Sequence, residues 1–199
     1  MPYIMAKPKI DRKTLLRNSL SVFKEKGYNG TSMSDLAKAN GLLKGSIYHY
    51  IEGKEALMLE VLEALKDHYV IKVFSKAYDE ELTPYERLKE LALRAEEIFV
   101  FEDGGDFFVN IGLETKNAVP AFGVVIKEFF EEWIKTMVYL YEFVVGEAEA
   151  KEKAEIVVAE IEGAAILMKV LDDSNYLQRT NQKFLQEYKK LYQNKLARL

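Results

Sequence analysis

The chain has 199 residues, 49% of them hydrophobic and 30% charged, with a formal net charge of −4: enough apolar material for one large or two small cores. It has no cysteine, which excludes disulfides, thiolate zinc sites and cysteine redox sensing and fits a reducing compartment. The N-terminus MPYIMAKPKI holds no apolar stretch long enough for a signal peptide, and no run approaches the ~18 apolar residues of a membrane span, so a soluble, cytoplasmic protein is expected.

Helical periodicity runs through nearly every segment and sustained alternation through none, so the fold class is all-α. The spacing predicts a first helix over 11–26 with Leu16, Leu20 and Phe23 inward. Ser32-Met33-Ser34-Asp35 reads as a capping box, starting a helix near Met33 whose buried face is Met33, Leu36 and Ala37. Asn40-Gly41 supplies the left-handed turn that ends it. A second helix of the pair begins near Lys44, with Leu43, Ile47 and Ile51 inward. Lys44, Gly45 and Ser46 fill its first turn, where a glycine and a short hydroxyl let backbone approach the floor of a DNA groove. Tyr48, His49 and Tyr50 follow, either reaching phosphate oxygens with their polar tips or forming a half-buried aromatic patch.

Two short helices about a glycine turn, the second carrying such a face, describe a DNA-reading helix-turn-helix. Charge agrees with this reading. Residues 1–54 hold ten Lys and Arg against four Asp and Glu, whereas residues 55–199 hold eighteen against twenty-eight. Only a phosphate-binding module gains counterion release from such a local excess. The densest basic run, Lys7, Lys9, Arg12, Lys13 and Arg17, is either a solvated tail and helix face or a contact with phosphate or the minor groove.

The segment resembles the DNA-binding domain of the TetR family of transcriptional regulators. The family pattern of F-x-x-K-G-Y, then T-S/T, then K-G-S-L-Y-H-Y-F and K-E-x-L is matched by Phe23, Lys26-Gly27-Tyr28, Thr31-Ser32, Lys44-Gly45-Ser46-Ile47-Tyr48-His49-Tyr50-Ile51 and Lys54-Glu55-Ala56-Leu57. The match covers roughly the first third of the chain. It implies that Thr31, Lys44, Gly45, Ser46, Tyr48, His49 and Lys54 contact DNA, while Phe23, Leu36, Ala37, Ile47 and Leu57 build the small core. Two positions depart from the pattern. Leu43 replaces the usual Ser or Thr cap, a loss of about 1 kcal/mol, and Glu52 replaces a neutral or basic residue near the expected phosphate path.

Beyond the motif, a helix from Lys54 to about Lys76 is expected to bury Leu57, Val61, Leu65 and Tyr69 and to enter the body. The domains are therefore 9–69, binding DNA, and 70–199, binding effector and dimerising. Thr83-Pro84-Tyr85-Glu86 is a second capping box with proline at the first helical position, opening a helix to about Phe101. Gly104-Gly105 breaks the chain before a short helix over 106–114. Pro120 opens a long helix to Val145, Gly146 ends it, and two helices over 149–171 and 178–196 complete the chain.

The last two helices carry apolar stripes. One has Ile156, Gly163, Ala164 and Leu167, and the other has Phe184, Tyr188, Leu191 and Tyr192. Apolar stripes at helical spacing serve intramolecular cores more often than interfaces, but the family resemblance implies homodimerisation through these two helices. A dimer also suits so small a reading module, since two recognition helices must meet major grooves ~34 Å apart on an inverted-repeat operator. The stretch from Phe99 to Tyr141 is unusually aromatic and mostly core. Polar residues at a helix end among aromatics are nonetheless what a small-molecule pocket requires, so Phe99, Phe107, Asn110, Glu114, Phe130 and Trp133 are the candidate effector lining. Gly105-Asp106 to Glu114 also resembles a subgroup with Gly-Cys at this point. Asp106 stands for the cysteine, which removes any thiol-based sensing.

An enzyme is not expected. Neither His49 nor His68 has a carboxylate three residues earlier as a helical di-metal site requires, and no nucleophilic triad or phosphate-cradling loop can be assembled. Glu96-Glu97 and Glu131-Glu132 are expected to be solvated, and no metal or cofactor is implied. The expected function is a transcriptional regulator, a repressor released from its operator by a small apolar effector. The alternatives are a ligand-independent DNA-binding or architectural protein and, more remotely, a helical small-molecule carrier.

Overall fold

The computed structural model describes residues 10–101, 107–116 and 118–198, with backbone alone for 99–101. Among these residues there are eight α-helices, two 3₁₀ helices and no strand. The chain divides into two compact units, Met1–Ala64 and Leu65–Leu199. The division falls inside one helix, so each unit is described by itself.

In the smaller unit, α1 (Arg12–Lys26) starts where the Asp11 carboxylate accepts from the Thr14 N–H at 2.9 Å. Its buried face is Leu15, Ser19, Val22 and Phe23, one step round from the expected one, and Leu16 and Leu20 are half-buried. The shift follows from what the helix packs on: Asn40 at the end of α2 (Met33–Ala39) donates to Ser19 Oγ at 3.3 Å and to Leu36 O at 2.8 Å. This places a polar residue in the α1–α2 seam that hydrophobicity alone could not select. The capping box of α2 forms in both directions, Asp35 N–H donating to Ser32 Oγ and Ser32 N–H to Asp35 Oδ2. The Lys26 ammonium at 2.6 Å, with the Ser32 hydroxyl and N–H, holds the Asp35 carboxyl well below the usual carboxylate range. Gly41 takes φ 65°, the left-handed turn expected of it.

Helix α3 (Lys54–Lys72) crosses the division and buries Leu57, Met58, Val61 and Leu62 on the side of the smaller unit. It is shorter than expected, ending at Lys72 before a 3₁₀ helix at Phe74–Tyr78. In the larger unit follow α4 (Pro84–Phe101), α5 (Phe107–Thr115), α6 (Pro120–Val145), α7 (Glu147–Leu171) and α8 (Asn175–Leu196). The Thr83–Glu86 capping box forms, with Thr83 N–H donating to Glu86 Oε2 at 2.9 Å.

The core of this unit is built on aromatic rings. Phe129 of α6 stacks on Phe108 of α5 at 4.0 Å and meets Tyr69 edge-on at 5.1 Å, while Phe74 and Trp133 close the cluster at 5.9 and 6.0 Å. Phe129→Ala removes the ring common to all these contacts. It is expected to lower stability by about 3–5 kcal/mol, read as a reduced urea midpoint with an unchanged m-value.

Candidate nucleic-acid interface and effector cavity

The segment after α2 is tighter and shorter than an α-helix. A 3₁₀ helix runs over Ser46–His49, with α-type bonds only at its flanks, from Ile47 N to Leu43 O (3.3 Å) and from Ile51 N to Ile47 O (3.2 Å). No side chain caps it. Leu43, expected inward, is 70% exposed, so it provides neither a cap nor a core contact. With glycine at 45 and a single fully buried side chain, Ile47, too little holds this turn for a regular helix to form in the isolated chain.

One neighbouring cation bonds its C-terminal end, and a second bonds the loop before α2. Arg12 sends Nη1 to Tyr50 O at 2.6 Å and lays the rest of its guanidinium fork on the Glu60 carboxylate, with Nε to Oε2 at 2.8 Å. Lys54 Nζ donates to Tyr28 O at 2.8 Å and Thr31 O at 2.9 Å, and stands 4.3 Å from the centre of the Tyr28 ring.

The seven residues expected at DNA therefore separate into two groups. Thr31 is buried at 2% exposure with its hydroxyl donating to Gly27 O at 2.6 Å, and Lys54 is spent on carbonyl oxygens. Both tie together the loop before α2. Lys44, Gly45, Tyr48 and His49 lie outward, with Ser46 half-exposed. Nothing lies within 4 Å of where a Cβ on Gly45 would stand, and its φ of −72° is ordinary, so nothing inside the protein requires glycine there. Of the basic run, Arg12, Lys13 and Arg17 are exposed, Arg12 being bonded to Tyr50 O and Glu60, and Lys7 and Lys9 lie outside the described residues.

The described members of the expected effector lining pack on one another or face outward. Phe107 and Trp133 are buried, Phe130 stacks on Trp133 at 6.4 Å, Asn110 is exposed and Glu114 half-exposed on the outer side of α5. The side chain of Phe99 lies outside the described residues, as do Gly104, Gly105 and Asp106. An internal cavity exists elsewhere, among α4, α6, α7 and α8. It is about 10 Å³, at the lower limit for one water molecule, and of the expected lining it shares only Trp133. Its polar groups are Glu96 and Asn181, Nδ2 of the latter donating to Glu96 Oε2 at 2.9 Å. Glu96, expected in solvent, is half-buried; only the pairing of α4 with α8 reveals this.

The stripes on α7 and α8 also divide. Phe184 and Tyr188 are internal at 2% and 0% exposure, with Tyr188 OH donating to Leu140 O at 2.7 Å, and Ala164 is buried too. Burial pushes the Tyr188 phenol well above its ordinary pKa. Leu191 and Tyr192 are half-buried, Tyr192 lying 5.8 Å from the Phe143 ring. Ile156, Gly163 and Leu167 face outward and continue with Ile166, Val170 and Leu171 into one exposed apolar face of α7. Among the described residues no group of three His, Asp or Glu side chains could hold a metal ion, and no helix is long and apolar enough to cross a membrane.

Residues 15–61 match the model of the bacterial regulatory proteins of the tetR family, and residues 84–183 match that of the LmrA/YxaF-like transcriptional regulator C-terminal domain. The HTH-type transcriptional repressor DhaR of Mycobacterium sp. (strain GP1) is 27% identical over 124 residues, 62% of each chain. The HTH-type transcriptional repressor KstR2 of Mycolicibacterium smegmatis is 30% identical over 90 residues, 45% of this chain and 43% of that one. The chain thus spans less than two thirds of the length of these curated relatives. In fold it is similar to a TetR transcriptional regulator from Legionella pneumophila, with a TM-score of 0.80 at 17% identity over 92% of this chain and 98% of that one.

Lys54→Met keeps the apolar stem and removes the ammonium. Losing two charge-assisted bonds to carbonyls, it is expected to destabilise the smaller unit by about 1.5–3 kcal/mol, seen as a lower thermal midpoint of the full chain before any DNA is added.

Proposed function

The chain belongs to the TetR family of bacterial regulatory proteins, and from that premise we propose that it is a DNA-binding transcriptional regulator, a repressor that leaves its operator when a small molecule binds the larger unit. The observation that carries this reading is the outward face of the 3₁₀ turn. Lys44, Gly45, Tyr48 and His49 are exposed on a segment bonded by Arg12 at its C-terminal end, and the glycine among them has no internal reason to be one. Close approach of backbone to a groove supplies an external reason. The local excess of Lys and Arg over residues 1–54 supplies the attraction to phosphate. The repressor role is taken from the names of the relatives.

The operator is an inverted repeat read by a homodimer. Support for the dimer comes from the exposed apolar face of α7, where Leu167 is 44%, Val170 74% and Leu171 52% exposed; contiguous apolar surface of this kind marks interaction sites. Ligand and DNA are coupled through α3, which contributes residues to both units. A coupling of about 1–3 kcal/mol is sufficient for a switch.

Selection of sites from random duplex DNA, followed by titration at several salt concentrations, tests the interface. Lys44→Ala is expected to weaken the selected site and shift its base preference. Gly45→Leu is expected to abolish specific binding with an unchanged thermal midpoint. Wild-type affinity in Gly45→Leu removes the close-approach argument.

Leu167→Glu combined with Val170→Glu is expected to give a folded monomer by light scattering that no longer binds the inverted repeat tightly. A double variant that remains dimeric moves the interface off this face.

A further inference from the structure

Among the described residues of the smaller unit, two large apolar side chains are exposed, Leu43 at 70% and Tyr48 at 52%. Every other one is buried or half-buried. A single exposed leucine on a protein surface is ordinary. Here, however, the unit hides its apolar side chains everywhere else and shows two of them on one face, beside Lys44 and Gly45, the face assigned above to DNA.

The backbone of Leu43 is fixed on both sides. Leu42 N–H donates to Ala37 O at 2.9 Å, at the end of α2, and Leu43 O accepts from Ser46 N–H at 2.9 Å and from Ile47 N–H at 3.3 Å. The side chain is therefore held at the N-terminal edge of the turn. Residues at that end of a recognition element are the ones that reach base edges, and Gly45 next to it has open space where a Cβ would stand.

Resting on the DNA-binding reading above, we propose that Leu43 reads a base, packing on the C5-methyl of a thymine in the major groove. Leucine has no donor or acceptor to offer, and the thymine methyl is the apolar group that a base edge presents in that groove. Contact removes both from water. Against a guanine–cytosine pair the same side chain covers O6, N7 or the N4 amino group and returns no hydrogen bond, so the wrong pair loses water without compensation. Leu43 thus sets specificity by an attraction and by a penalty, whereas Lys44 beside it acts through charge and donors.

The full-length protein is first used to select its operator from random duplex DNA. Each thymine of that operator is then replaced in turn by deoxyuridine, which lacks only the methyl. At one thymine the replacement is expected to weaken wild-type binding about fourfold, the worth of one buried methyl. Leu43→Ala is expected to lose that dependence at the same position, to keep any methyl effect at other positions, and to melt at the wild-type temperature, because the side chain makes no core contact. Leu43→Ser, which restores the hydroxyl of the family pattern, is expected to relax the preference for thymine at that position in a fresh selection.

An enriched operator on which every deoxyuridine replacement affects wild type and Leu43→Ala alike overturns the assignment of Leu43 and leaves the DNA reading in place. A methyl effect that persists in Leu43→Ala and vanishes in Tyr48→Ala overturns it too, moving the contact to the second exposed side chain. Selection that enriches no sequence with the wild type overturns the DNA reading itself, and the role of Leu43 with it.

Discussion

The smaller unit depends on two cations bonded to its own backbone, half-buried Lys54 and exposed Arg12. Its outer turn, Ser46–His49, buries one side chain and has no cap, so it cannot hold its own shape. Arg12 reaches from α1 to the carbonyl of Tyr50 while clamped on Glu60 of α3. Lys54, at the first turn of α3, gathers the carbonyls of Tyr28 and Thr31 from the loop before α2. Carbonyl oxygens at helix ends and in turns have no partner of their own, and a charged donor satisfies them more strongly than a neutral one. Lys44 is presented outward on a scaffold that these two cations tie together. An abundance of Lys and Arg in such a module thus has two physical uses, and only one involves an external anion.

In the larger unit the same residue class also has two fates. Rings from Phe74 to Trp133 pack on one another about Phe129. A small space of about 10 Å³ lies where α8 crosses α4, with Ala92 and Ala95 in its lining. That is also where a carboxylate is drawn away from solvent.

Helix α7 separates its two faces cleanly. Val157, Ile161, Ala164 and Ala165 are buried, while Ile156, Gly163, Ile166, Leu167 and Val170 are exposed. The exposed set is apolar and the buried set is apolar but for Glu162, so much of both faces of its second half calls for cover. The chain itself supplies cover for one. Tyr188 of α8, apolar and at the right spacing for an interface, is instead tied inside by its hydroxyl to Leu140 O.

The helices were legible in the sequence, and so was the reading module, because caps, glycine turns and apolar spacing are local: Ser32 with Asp35, Pro84 after Thr83, Pro120 and Gly146 each act within one turn of the chain. Thus α4 and α6 begin and end where the residues say, and the motif from Phe23 to Leu57 identifies its unit by residue type and spacing. Tertiary structure decided which side of a helix faces what. It turned α1 onto Leu15 and Ser19, sent Lys54 and Thr31 inward, left Leu43 in solvent, stacked Phe129 on Phe108 and brought Glu96 to Asn181 across 85 positions of sequence. A charge or a ring has the same identity in the sequence whether it meets a carbonyl, another ring or water. Its partner is set by distances that exist only after the helices pack.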